Sequence, residues 1–512
     1  MAPADLGLQR YIDEQVRQGR TRVVVPPGRY RMAPRDRQHL VLKDLKNVEI
    51  VADGVEMVCT ETTRAVSIVN CTNLTFRGLT IDYDPLPFTQ GRIVAMSADK
   101  KVHEIELFEG YPPAESAKNW KYEIFRPDTR TLRCDDRYPA KVEAAGPRRL
   151  RVTLPKGTRS NPERVGDLAV IASEHALHGS VPHAIHANEC RNLHLENVTL
   201  YASNCFGFYE TACQGSTYLR CRVDRRSPDA DPVKRASPRL RSLNADAFHS
   251  KYATVGPKYI ECFARFQGDD CIAINGDSHM IMTAQGRALR VLAKGRMNIQ
   301  SGDPVEIATP DDGALMEAKA VTIEAAGEIR DDERAFLSKQ KGDERVLALH
   351  KAVTITLDRQ VKVARGGLIY AANRLGSGFE IRGCDFGQNR SRGLVIKASG
   401  GLITGNRFEG CRMSAILVSS ERWWLEAGNS SDVAITANTI TSCEGIAINV
   451  AGGVHRNISI TGNTVRDCSA PGIFASRVRG LQIKDNSLEL KPSRRAGAAA
   501  KEAPPIVRLD CD

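Results

Sequence analysis

The chain has 512 residues, 42% of them hydrophobic and 26% charged, with 41 glycines; this excludes disorder over most of its length. A mean hydropathy of −0.32 and the lack of any run near ~18 uncharged apolar residues exclude a membrane-spanning helix. The net charge of +11 is spread along the chain without a long Lys/Arg run or interleaved aromatic residues, which points away from nucleic acid as a partner.

Leu6, Leu8, Tyr11, Ile12 and Val16 predict an amphipathic helix over 3–19. The opening MAPADLGLQR lacks the apolar segment of a signal peptide, so the chain is either cytoplasmic or the mature form of an exported protein. Val23 to Tyr30 reads as strand, tight turn, strand. A helix in front of such strands would cap the open end of a solenoid. Cys71-x-Asn73-Leu74 and Cys190-x-Asn192-Leu193 open two segments of the same grammar. Residues 84–172 and 277–372 break it with alternating, charged, strand-like stretches, read as antiparallel β insertions. Towards the C-terminus, Ile-x-x-Asn recurs at Asn406, Asn438, Asn463 and Asn486, spaced 32, 25 and 23 residues apart. Cys411, Cys443 and Cys468 each follow the first three by five residues. Short Ile/Val/Thr-rich strands at this period cannot bury their apolar side alone, but stacked coils share one core.

The expected fold is therefore all-β: a right-handed parallel β-helix with an N-terminal capping helix and two antiparallel, small barrel-like β insertions. Its expected segments are a cap and first coils (1–83), an insertion (84–172), coils (173–276), an insertion (277–372), coils (373–490) and a loosely held tail (491–512). An asparagine at a fixed turn position can adopt the left-handed conformation and hydrogen-bond to its copies. The fourteen cysteines include no C-x2-C pair and read as buried thiols.

The chemistry concentrates in 244–277. Aligned by apolar pattern, NADAFHS lies over GDDCIAI with an offset of 24, so Asp246 stacks on Asp270 one coil apart, with Asp269 beside them. Crowded carboxylates raise at least one pKa and can supply both a proton donor and an ionised base. Glycoside hydrolysis needs that pair, at a separation of about 5–5.5 Å for retention and about 6.5–9.5 Å for inversion. Adjacent strand residues face opposite ways, so Asp269 and Asp270 share a cleft only if the chain bends at Gly268. Candidate substrate contacts are Arg390 and Arg392, which precede a strand like that of the aspartate pair, and Trp423 with Trp424, whose rings suit a sugar's C–H face. Glu426, Glu210, His249 and Asn275 complete the set. His175, His178, His183 and His186 invite a zinc reading, but a Gly/Ser/Pro-containing loop without H-E-x-x-H favours histidines that border the cleft or the surface. No metal site is expected.

The aspartate pair before an apolar strand, with Asn-x-Asp one coil upstream, resembles the β-helical glycosidases, including polygalacturonases. Two polygalacturonase features are missing: a Gly-His-Gly after the pair, and an Arg-Ile-Lys motif for a uronate carboxylate. DYDPLPFTQG (82–91), the insertion after INGD, NRSRGLVIKA (389–398) and WWLEAG (423–428) are more similar to glycoside hydrolase family 110, and the likeness covers roughly 20–490. That resemblance implies an inverting, exo-acting α-galactosidase. It would remove terminal α-1,3-linked galactose from an oligosaccharide or glycan, without a cofactor, in a secreted or periplasmic setting. It also implies Asp269 as general acid, with Asp246 and Asp270 activating water. The competing readings are a polysaccharide lyase or another β-helix glycosidase acting on an acidic glycan, and a non-catalytic glycan-binding β-helix; self-assembly into a homo-oligomer is compatible with each.

Overall fold

The computed structural model describes residues 7–491 and 503–512, apart from 119–120, 138, 156–161, 174–181, 235, 296, 311–312 and 341–349. Three sheets, two of them twelve-stranded and one eleven-stranded, wind together as a β-helix; their strands pair parallel except Glu426–Ala427, which pairs antiparallel with Gly276 and Asp277. In one sheet Leu40, Val66, Ile185, Phe208, Phe248, Ile272, Leu394, Ile416, Ile448, Ile473 and Ile506 are consecutive register partners. All but Ile506 are buried. Each such side chain contributes about 1.5–3 kcal/mol on burial, and a one-residue slip would turn the whole column outward.

Both insertions leave this column without shifting it, since Ile185 pairs with Val66 and Leu394 with Ile272. The first insertion is a seven-stranded antiparallel sheet with its own core of Ile93, Ile105, Tyr122, Ile124, Leu150 and Val152. The second closes a six-stranded barrel, from His279–Gln285 to Leu368–Ala371, around Ile281, Val291, Ile307, Ile355 and Ile369.

The N-terminal helix runs from Leu8 to Arg17, buries Leu8 and Ile12, and ends where Gly19 turns left-handed at φ +78°. Residues 1–6 of the expected helix lie outside the described residues. A second helix, Asp331–Leu337, was not anticipated. Of the expected tail, 492–502 lie outside the described residues, whereas Ile506–Leu509 pairs parallel with Ile473–Ser476. Twelve of the cysteines are buried and Cys511 is partly exposed, and among the described residues no helix is long and apolar enough to cross a membrane.

The C-terminal asparagines stack as expected, but not in the left-handed conformation. That conformation falls on the residue before each: Gly405, Ala437, Gly462 and Asp485. Asn438 shows the pattern. Its Oδ1 accepts from the main chain (3.0 Å) and Nδ2 (3.0 Å) of Asn406. Its Nδ2 donates to the Ile403 carbonyl (3.0 Å) and to Asn463 Oδ1 (2.9 Å). Asn47, Asn73 and Asn192, by contrast, are left-handed and joined by side-chain bonds at an exposed turn.

Asn438→Ala strips partners from two buried backbone groups of the preceding coil, the Asn406 N–H and the Ile403 carbonyl. It should destabilise the protein by about 2–4 kcal/mol, read as a fall in the denaturant midpoint of unfolding.

Candidate active site

The coil register places the carboxylates. Phe206, Asp246, Asp270 and Arg392 each stand two residues before a member of the inward column, so they occupy one turn position in four successive coils. Asp246 therefore stacks on Asp270, and the Asp270 N–H donates to Asp246 Oδ1 (3.3 Å). The chain bends at Gly268 and Asp269, which brings Asp269 to the same side. A Cβ at Gly268 would lie 2.8 Å from the Asn244 carbonyl oxygen, so only glycine fits this turn. One oxygen from each of the three carboxylates lies within 4.8 Å of the others.

The trio opens into a cavity of about 540 Å³, and Asp269 exposes a quarter of its side chain. Arg392 donates to Asp270 from its main-chain N–H (2.8 Å) and from Nη2 (3.0 Å). Arg390 pairs with Asp269 (2.5 Å). Lys121, from the sheet insertion, donates to Asp269 Oδ2 (3.0 Å). His249 Nδ1 meets Asp246 Oδ2 at 2.7 Å, and its ring stacks on Phe206 (4.5 Å) in a wall continued by His183 and Tyr209. Lys397, also on the lining, bonds both Glu421 (2.7 Å) and Glu426 (2.9 Å). Lys251 and the barrel's Lys294 converge on Asp277 (2.9 and 3.1 Å). Lys294 also donates to the Trp424 carbonyl (2.6 Å), tying the barrel to the cavity rim.

These neighbours divide the charges. Burial alone would raise every carboxyl here. Arg390, Lys121 and Arg392 overcome it at Asp269 and hold that group well below the usual carboxylate range. At Asp270 burial, together with Asp269 and Asp246, outweighs Arg392 and raises the pKa to about 7. Burial and Asp269 push Asp246 well above its usual value. Burial also lowers His249 to about 4. Glu426 is held ionised against burial by Lys397, Lys251 and Lys294. Proton affinity is thus raised at Asp246 and Asp270 and lowered at Asp269. Asp269, on which Lys121 and Arg390 both lie, has the lowest proton affinity of the three.

Of the anticipated residues, Asp246, Asp269, Asp270, His249, Arg390, Arg392, Trp424 and Glu426 line the cavity. Glu210 does not. Two positions after the inward Phe208, it also points into the solenoid, where Tyr218 (3.0 Å) and Ser250 (2.6 Å) donate to it and burial raises its pKa. Asn275 stands behind His249, with its Nδ2 3.3 Å from Nε2, rather than on the cavity wall. Trp423 is half exposed, away from the lining. His175 and His178 lie outside the described residues; His183 borders the cavity and His186 stacks on Tyr209 (4.8 Å). Among the described residues the aspartate trio alone is clustered tightly enough for a metal ion, and Lys121, Arg390 and Arg392 already lie on two of its members. Sequence reasoning missed Lys121, Lys251, Lys294, Lys397 and Glu421. The DYDPLPFTQG segment turns out to be a brace. Asp82 takes two 2.8 Å bonds from Arg239, and the Gln90 side chain bonds the main chain of Pro238 and Leu240, fixing the approach to Asp246.

A family model described as right handed beta helix region matches residues 353–492. The chain is 25% identical to alpha-1,3-galactosidase B of Bacteroides thetaiotaomicron, over 88% of this chain and 74% of that one. It is 24% identical to alpha-1,3-galactosidase A of Streptomyces avermitilis, over 88% and 75%. Among solved structures it is similar to a polygalacturonase from Erwinia carotovora (10% identity, 100% of this chain and 95% of that one, TM-score 0.42). It is also similar to the catalytic domain of a family 87 alpha-1,3-glucanase (10% identity, 100% and 64%, TM-score 0.45).

Asp270 binds its proton more tightly in the folded protein than in the unfolded chain, whose aspartates titrate near ~3.9. Its contribution to stability is complete below that value and is lost as pH rises towards about 7. Asp270→Asn should therefore gain on the wild type between pH ~4 and ~7, with the difference in melting temperature widening in the variant's favour across that window.

Proposed function

We propose that the protein is a glycoside hydrolase that removes terminal α-linked galactose, in particular α-1,3-linked galactose, from an oligosaccharide or glycan. The observation that carries this reading is the trio itself: three carboxyls in unequal electrostatic surroundings meet in an open cavity of sugar-binding size. The names of the two curated relatives support the bond and the sugar. The proton held by Asp246 and Asp270 serves the glycosidic oxygen. Asp269, held ionised, faces the positive charge that develops on the sugar ring, and Trp424 with the Phe206–Tyr209 wall offers apolar surface to its C–H faces.

Charge balance supports a neutral sugar over a uronate. Lys121, Lys251, Lys294, Lys397, Arg390 and Arg392 each lie within 3.1 Å of a carboxylate oxygen. A lyase acting on an acidic glycan needs a basic group to abstract a proton and another to hold the substrate carboxylate, and these six are already engaged. Inversion is the stereochemistry the resemblance implies. The three oxygens within 4.8 Å are closer than the usual ~6.5–9.5 Å gap, so an attacking water would be held on the carboxylates jointly rather than between two distant ones.

An aryl α-galactoside and a terminal α-1,3-linked digalactoside should both be hydrolysed. Asp246→Asn, Asp269→Asn and Asp270→Asn should each lower kcat by about 10²–10⁴-fold with the fold intact by circular dichroism. Proton NMR of the first-formed sugar should show the β anomer; the α anomer would establish retention. Absence of turnover across a panel of α- and β-galactosides would sink the reading.

A further inference from the structure

We propose that Lys121, carried in by the sheet insertion, is a positioning residue that clamps the two aspartate-bearing turns together and anchors Asp269 in an ion pair. The inference rests on the glycosidase reading for its catalytic meaning, but the clamp is a feature of the fold.

Lys121 is 2% exposed, and among the described residues its ammonium reaches three acceptors. Two are the main-chain carbonyls of Asn244 (2.7 Å) and Gly268 (2.8 Å). Each stands two residues before a stacked aspartate, so they occupy one turn position in consecutive coils. The third is Asp269 Oδ2 (3.0 Å). One buried cation thus bridges two coils by their backbones and fixes the carboxylate between them. The lysine is itself held: Arg241, fully buried, pairs with Glu123 (2.9 Å) and donates to Asn244 Oδ1 (2.9 Å) and to the Lys121 carbonyl (3.4 Å). Lys121 also adopts φ +40°, a left-handed backbone that side-chain-bearing residues seldom take. Strain of that kind persists where surrounding contacts over-determine a position, as they do here.

The insertion therefore completes the site. Without Lys121, Asp269 would face Arg390 and Arg392 from the next coil, Asp270 from its own turn and Asp246 from the preceding coil. The Asp269 carboxylate would then meet one cation fewer. Proton affinity across the trio would rise, most at Asp269.

The test uses the full chain, in wild-type form and as Lys121→Met and Lys121→Arg, with folding checked by circular dichroism. With an aryl α-galactoside, the acid limb of kcat/KM against pH should move up by about 1 pH unit or more in Lys121→Met and stay in place in Lys121→Arg, which keeps the charge. Carbon-13 NMR of labelled aspartate carboxyls, with Asp269 assigned by its loss in Asp269→Asn, should show no titration of wild-type Asp269 near ~4 and an upward move in Lys121→Met. Superimposable wild-type and Lys121→Met titrations, whatever the loss of stability, would reduce Lys121 to a structural role and overturn the proposal. Wild-type Asp269 titrating near ~4 overturns it even if neither variant folds. A protein inactive on every galactoside that still gives the expected NMR result keeps the clamp and loses only the glycosidase reading.

Discussion

Strict vertical register between coils is the constraint on which the molecule rests. Parallel strands at a spacing of about 4.8 Å put residues of equal phase directly above one another, and the unbroken inward column from Leu40 to Ile473 keeps each coil from slipping. The same rule that stacks isoleucine on isoleucine inside stacks Asp246, Asp270 and Arg392 outside. Such a pile of like charges is tolerable because the next rung in the pile is an arginine. The scaffold is equally indifferent to what happens between rungs. Val66 meets Ile185, and Ile272 meets Leu394, across whole domains inserted in the loops.

Those insertions divide the work of neutralising the cavity. The solenoid contributes Arg390, Arg392, Lys251 and Lys397; the sheet contributes Lys121 and the barrel Lys294. Desolvating so many ions is expensive, and a buried pair is often no more stable than an apolar replacement. The arrangement is therefore better understood as fixing which carboxyls keep a proton than as holding the fold together. The core and the asparagine ladder hold the fold, while the ion pairs set the protonation pattern of the trio.

What could be read in advance follows from what repeats. The coil period exposed the solenoid, and the 24-residue offset of two apolar phrases brought Asp246 over Asp270. Gly268 signalled the bend that lets Asp269 join them. Arg390 and Arg392 were found because they precede a strand of the same kind. Glu210 was misjudged because parity along its strand, counted from Phe208, sends it inward, where hydroxyl groups rather than sugar surround it. The ladder asparagines were legible as a stack, but their backbone conformation was not, because the left-handed residue one step earlier is glycine in one coil and alanine or aspartate in another. Lys121 and Lys294 carried no signal: nothing periodic relates an insertion strand to the coil it will touch.

The uninterrupted column across the barrel also sets an order of events at birth. The strand Ile272–Asp277 emerges with one hydrogen-bonding edge waiting for a partner that follows about 120 residues later. At ~5–20 residues per second that interval lasts roughly 6–24 s on the ribosome. During it the nascent chain shows an open β edge bearing the aspartate pair, a template for unwanted pairing. The barrel, which has its own core, is the part of the chain made in that gap. Early coils must therefore persist half-finished, and the cavity comes into being only once the Arg392 and Glu426 segments have been threaded into place.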